Sequence, residues 1–173
     1  YIRVPEESIG ALQQAGLRVV REDDNADYVY RTADLADLPG ELYHKKRNLV
    51  QQCLAAGECR YEALTPALIP ECLAMQAAWC RLRQCDLVPE LCHEYDAIRE
   101  TLAHFEALGV FGGVVRVGGR IQAYAIGEEL SPTVAVCHFE KAMPEWKGLA
   151  QLMNQWFAVH ALGAYAFVNR EQD

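Results

Sequence analysis

His138 and Glu140 stand two residues apart in the run T-V-A-V-C-H-F-E, residues 133–140, whose β-branched content reads as a strand. Strict alternation along a strand puts Val134, Val136, His138 and Glu140 on one side, so an imidazole and a carboxylate project together near the strand end. That pairing suits proton transfer, with Glu140 fixing the imidazole tautomer or binding an amine. A structural His–Glu pair lining a pocket wall is the competing reading. A short Pro-containing turn follows, and then a helix over 145–161 whose first turn holds Lys147, Gly148 and Leu149. Helix N-termini expose unpaired N–H groups, a glycine admits a ligand close to the backbone and a lysine adds charge, so a phosphate-bearing donor is the expected guest. One glycine and one lysine form a weak motif, and an ordinary strand-to-helix connection with a solvated lysine competes with it. Alanine at Gly148 would stabilise the helix if the glycine's angles are helical.

Asn169 and Arg170 end the last apparent strand, 165–169, where an amide and a guanidinium can hold an amide and a phosphate or carboxylate. Asn154 lies further along the 145–161 helix, on roughly the side of Gly148. A second basic group, His44-Lys45-Lys46-Arg47, occupies the first half of a helix over 41–56, where the helix dipole disfavours cations. A phosphate-rich ligand would account for it, and so would a solvated face.

The elements that position these residues follow from periodicity. A helix is expected over 4–16, strands over 17–20 and 27–30, a charged turn at 21–25 and a turn region over 34–40. The 41–56 helix, with Leu42, Leu49 and Cys53 on one face, ends at Gly57 and leads to a strand over 59–64. Thr65-Pro66 opens a helix to about residue 83 with Leu68, Cys72, Met75, Trp79 and Leu82 on its core stripe. A helix over 90–108 buries Ile98, Leu102 and Phe105. Strands over 110–117 and 120–127 then flank Gly118-Gly119, a two-residue hairpin signal. The 27–64 piece corresponds element by element to 133–169, which suggests two related halves.

Composition narrows the class. The 173 residues, 51% hydrophobic, are enough for a packed core, and no apolar run is long enough to span a bilayer. The chain does not begin with Met and stops directly after a strand, so both ends read as fragment ends. A net charge of −8 disfavours a broad nucleic-acid face and DNA binding. Seven cysteines without a C-x-x-C pair point to reduced thiols and a cytoplasmic location. Cys80, Cys85, Cys92 and His93 match no common zinc module, so no metal is expected.

The order helix, helix, three antiparallel strands, helix, strand resembles the GNAT acyltransferase fold, whose Q/R-x-x-G-x-G/A turn holds coenzyme A. Here that turn reads E-W-K-G-L-A, residues 145–150; the glycine and alanine match, while Glu145 places negative charge where Gln or Arg is expected. More widely, D-Y-V-Y (27–30), L-A-D-L-P-G-E-L-Y-H-K-K-R-N (35–48), L-G-V-F-G-G-V-V-R-V-G-G-R-I-Q-A-Y-A-I-G-E (108–128), H-F-E-K-A (138–142), W-K-G-L-A-Q-L-M-N-Q (146–155) and V-N-R-E-Q-D (168–173) are similar to a bacterial family that shares the C-terminal domain of phosphatidylglycerol lysyltransferase. The resemblance implies a tandem GNAT-like α+β fold, a mixed, mostly antiparallel sheet flanked by helices. Residues 1–64 would be the tail of an incomplete first domain and 65–173 a second domain lacking its last strands. It further implies a transferase moving an acyl or aminoacyl group from acyl-CoA or aminoacyl-tRNA to an amine or hydroxyl. A non-catalytic module binding a nucleotide or peptide is the alternative.

Overall fold

The turn at Gly118-Gly119 closes a hairpin between β3 (Phe111–Val117) and β4 (Arg120–Ser131), the centre of the fold. The computed structural model describes residues 4, 6–20 and 26–171. β5 (Val134–Ala142) lies antiparallel to β4, and β6 (Phe167–Asn169) returns parallel to β5. Two strands from early in the chain complete the sheet at opposite edges. β1 (Val29–Arg31) pairs antiparallel with β6, and β2 (Cys59–Ala63) pairs antiparallel with β3, giving the six-stranded order β1-β6-β5-β4-β3-β2. The parallel β5–β6 step needs a crossover, which α7 (Leu149–His160) provides.

Helices cover both faces. On one, α7 places Leu149, Leu152, Met153 and Phe157 against Val115, Ala123, Ala135, Cys137 and Val168. α2 (Thr32–Asp37) and α3 (His44–Ala56) close this layer with Leu35, Val50 and Cys53. On the other face α4 (Ile69–Arg83) and α5 (Pro89–Ala103) bury Cys72, Met75, Trp79, Ile98 and Leu102 on Val114, Ile121, Tyr124 and Ile126. Each such side chain taken from water contributes roughly 1.5–3 kcal/mol. Tyr124 is fully buried, and its hydroxyl is satisfied by donating to Gln76 Oε1 at 2.6 Å. α1 (Ile9–Gln14) and α6 (Phe105–Leu108) are single short turns.

Several elements differ from expectation. Residues 17–20 form no strand, and the helix expected over 4–16 is a 3₁₀ turn at Glu6–Ser8 followed by α1. The turn expected over 34–40 is in fact α2, because Leu35 packs into the core and Leu38 ends the helix in the left-handed conformation. Leu42 is 88% exposed and Leu82 is 58% exposed, so the buried stripes of α3 and α4 run through Val50 and Gln76 instead. The helix expected over 90–108 breaks at His104 into α5 and α6. The charged turn expected over 21–25 lies outside the described residues. Across the boundary expected at residue 64 the hydrogen-bond ladder is continuous, since β1 and β2 belong to the same sheet as β3 to β6. β1 and β2 sit at opposite edges, whereas β5 and β6 are neighbours.

One ion network ties edge strand, hairpin and helix together. Arg116 on β3 donates Nε to Glu62 on β2 at 3.0 Å and Nη1 to Glu71 on α4 at 2.7 Å, and the N–H of Ile121 adds a bond to Glu71 at 3.0 Å. The Arg116 hydrogen bond holds the Glu71 carboxyl below its ordinary value of 4.5, with burial opposing and the Ile121 bond assisting. A depressed carboxyl stabilises the fold above its ordinary value, and that contribution disappears as pH falls through the folded value. Glu71 is partly solvated, so the arrangement contributes about 1 kcal/mol after screening. Arg116→Gln is expected to lower the denaturation midpoint at neutral pH and to converge on the parent well below pH 4.5. A midpoint difference that stays constant with pH would exclude the carboxylates as the partners.

Candidate active site

β6 accompanies β5 for only three residues, Val134 to Val136, while β5 continues to Ala142. Beyond Asn169 the chain stays with β1 instead: Arg170 N–H donates to Tyr28 O and Tyr28 N–H to Glu171 O. The two parallel strands therefore part at Val136, and β5 outruns its neighbour. Ligands in sheets with parallel strands collect in such a crevice beyond the strand ends.

At the same place β5 carries an extra residue. Its register with β4 passes from Gly127↔Cys137 directly to Ile126↔Phe139, leaving His138 as a bulge. Cys137 packs with α7 on one face and Phe139 with the α4/α5 cluster on the other, so the alternation resets between them. Gly127 permits this geometry, because a Cβ there would fall on the carbonyl oxygen of Val136. The common projection expected for His138 and Glu140 is corrected accordingly: the inserted residue changes the phase of every side chain after it.

Each of the two then has its own partners. His138 Nε2 lies 3.1 Å from Glu128 Oε1 and its Nδ1 lies 3.5 Å from Glu171 Oε1. Glu140 accepts from Asn154 Nδ2 on α7 at 3.2 Å and from Arg170 Nη2 at 3.5 Å. The Glu140 and Arg170 side chains are 14% and 12% exposed, a depth at which an ion pair is screened less than at the surface. Asn169 donates Nδ2 to Asp27 at 2.8 Å and accepts the Glu171 N–H at 2.7 Å, which holds Glu171 at φ 51°. Glu140, Asn154 and Arg170 thus meet in one group, and His138, Glu128 and Glu171 in another beside it. Glu128 escaped the sequence reading and Glu171 enters it only as a charged residue at a strand end, because only the bulge and the left-handed turn bring them to the imidazole.

At the α7 start the structure shows a packing contact of the kind that competes with the donor reading. Gly148 precedes the helix at φ 86°, and a Cβ on it would strike the carbonyl oxygen of Leu49 in α3. The glycine is therefore a contact between two helix backbones. Leu149 is fully buried in the core, and its N–H donates to Trp146 O at 3.1 Å. Lys147 is exposed next to this contact. In the basic cluster, Arg47 donates Nη1 to Leu38 O and to Gly40 O, capping the end of α2 as a cation favourably placed at a helix C-terminus. His44 bonds Asn48 at 3.1 Å and Lys46 lies 5.7 Å from the Tyr43 ring centre. His44 and Lys45 are exposed.

Among the described residues no group of His, Cys, Asp and Glu is arranged to hold a metal ion, and no helix is long and apolar enough to cross a membrane. The described cysteines are free thiols.

Residues 1–171 match the family described as phosphatidylglycerol lysyltransferase, C-terminal. No curated protein matches the chain by sequence. Among solved structures, a conserved protein of unknown function from Bacteroides thetaiotaomicron is similar at 32% identity and TM-score 0.86, over 96% of this chain and 58% of that one. The C-terminal domain of a protein described as a lysylphosphatidylglycerol synthetase from Agrobacterium fabrum is similar at 14% identity and TM-score 0.68, over 96% and 51%. L-PGS from Bacillus licheniformis is similar at 9% identity and TM-score 0.65, over 95% and 51%. The last two likenesses concern the fold, which is GNAT-like. The chain spans a little over half the length of each of these structures.

The contact at Gly148 yields a direct test. Alanine there meets both an unfavourable φ and the Leu49 carbonyl, reversing the stabilisation expected for a helical glycine. Gly148→Ala is expected to destabilise the protein by roughly 2 kcal/mol or more, seen as a lower thermal midpoint. An unchanged or raised midpoint would show that the α3–α7 contact yields at no cost.

Proposed function

The chain belongs to the phosphatidylglycerol lysyltransferase C-terminal family, and from that premise we propose that it transfers an acyl or aminoacyl group to an amine or hydroxyl in the crevice where β5 outruns β6. The observation that carries this reading is the coincidence of the strand separation with the His138 bulge. His138 with its carboxylates and the Glu140–Arg170 pair flank the place where the strands part.

In the proposed reaction His138 takes the proton of the acceptor as its nitrogen or oxygen attacks the donor's carbonyl carbon. The carbonyl electron pair moves onto oxygen, where hydrogen-bond donors at the crevice would stabilise it. Collapse restores the C=O bond and expels the donor's oxygen or sulfur, which receives the proton held by His138. Glu140, fixed by Asn154 and Arg170, shapes the wall and offers a carboxylate to an amine. Asn169 and Arg170 keep the crevice's far side in place through Asp27 and Glu140.

The donor carries phosphate in this proposal, and exposed Lys147, Lys45 and His44 supply its surface. Gly148 is occupied by Leu49, and Glu145 adds negative charge nearby, so an aminoacyl-tRNA is favoured over a coenzyme A thioester pressed against that turn. A net charge of −8 then confines contact with the nucleic acid to this local patch.

The test is a transfer assay on the full-length protein with aminoacyl-tRNA or acetyl-CoA as donor and phosphatidylglycerol vesicles or a primary alkylamine as acceptor. His138→Ala is expected to lower turnover by about 10²–10⁴-fold, the usual contribution of a positioned base. Parental turnover in that variant would remove His138 from the chemistry, and donor binding without transfer by the parent would make the chain a binding module. Lys45→Gln with Lys147→Gln is expected to weaken tRNA binding and flatten its salt dependence, measured by titration at several ionic strengths.

A further inference from the structure

Both imidazole nitrogens of His138 face carboxylates, but not equally. Nε2 is within hydrogen-bond distance of Glu128 Oε1 at 3.1 Å, whereas Nδ1 stands at 3.5 Å from Glu171 Oε1, beyond a normal bond. A neutral imidazole has one N–H and one lone pair, and the ring lowers its energy by turning the N–H to the nearer carboxylate and the lone pair to the farther one. We propose that Glu128 is the positioning residue of His138: it accepts the Nε2–H, fixes that tautomer, and leaves Nδ1 as the nitrogen that exchanges a proton with the acceptor. This rests on the reading of His138 as the base.

The placement of Glu128 follows from the bulge. Glu128 pairs with Val136 across β4 and β5, and the next register step, Gly127↔Cys137, ends where His138 is inserted. The absent side chain at Gly127 lets the Val136 carbonyl close on β4, which brings the bulged histidine toward Glu128. Glu171 has a separate role. It sits in a left-handed conformation secured by the Asn169 side chain and by Tyr28 N–H, on the Nδ1 side of the ring. Nδ1 faces Glu171 at 3.5 Å, so an acceptor reaches that nitrogen only where the Glu171 carboxylate yields its place. Glu128 thus sets which nitrogen works, and Glu171 guards the approach to it.

The experiment is ¹⁵N NMR of the histidine ring, with His138 assigned by its loss in His138→Gln, on the parent, Glu128→Gln and Glu171→Gln. The spectra are followed from neutral to alkaline pH, where two-bond nitrogen–proton couplings distinguish the tautomers. The parent is expected to show Nε2–H as the main neutral form, Glu128→Gln a mixture of tautomers, and Glu171→Gln the parental tautomer. A parental Nδ1–H form, a tautomer ratio unaffected by Glu128→Gln, or a ring that stays doubly protonated throughout would overturn the proposal. Amide spectra of the variants verify folding, and Glu128→Asp, which keeps the carboxylate, serves if Glu128→Gln does not fold; it is expected to retain the Nε2–H form, and its loss counts against the proposal. Activity plays no part in this readout, so a fully active His138→Ala would defeat the base while leaving the tautomer assignment standing.

Discussion

The site depends on one extra residue in β5. Without the bulge, Cys137, Phe139 and Lys141 would share a face, and the two apolar layers would exchange side chains beyond that point. With it, β5 serves two layers along its length: Ala135 and Cys137 pack under α7, while Phe139 packs with the α4/α5 cluster and Lys141 reaches Glu94 of α5 at 2.6 Å. The ammonium of Lys141 also lies 5.0 Å from the Trp79 ring centre, so α4, α5 and β5 are tied by one side chain. His138 occupies the residue at which this change of phase happens. Position and packing are thus a single constraint.

Much of the chemistry-bearing vocabulary of the sequence serves architecture. Arg47 closes α2, Gln155 donates to Ala36 O at 2.9 Å from α7, and Gly148 lets α7 touch α3. These three contacts join α2, α3 and α7 into one layer behind the sheet. The first turn of α7 is consequently packed against α3, and in the proposed donor site charge comes only from side chains at its rim.

The hairpin, the strand over 133–140, the helices of the second half and the family resemblance were all legible in the sequence, because turn glycines, β-branched runs and 3.6-residue periodicity are local signals. α2 was not, since Asp34-Leu35-Ala36-Asp37-Leu38-Pro39-Gly40 has turn composition and becomes helical through the burial of Leu35. Nor was the direction of His138, because a bulge depends on what the neighbouring strand's Gly127 allows. Glu128 and Glu171 look like ordinary surface acids in a chain with 24 acidic residues. Only register and a left-handed turn single them out.

The two outer strands come from the same early stretch of chain, yet one waits on the hairpin and the other on β6. β2 meets β3 across the α4–α5 segment, whereas Val29 meets Asn169, nearly the whole sequence away. β1 pairs with β6, which is made long after it, and their ladder closes a longer loop than the β2–β3 ladder. The hydrogen bonds that hold Glu171 beside His138 run through this same β1 edge at Tyr28. Assembly of the proposed catalytic group therefore waits on the β1–β6 pairing, and a chain interrupted before β6 contains the histidine but lacks the Glu171 side that it faces.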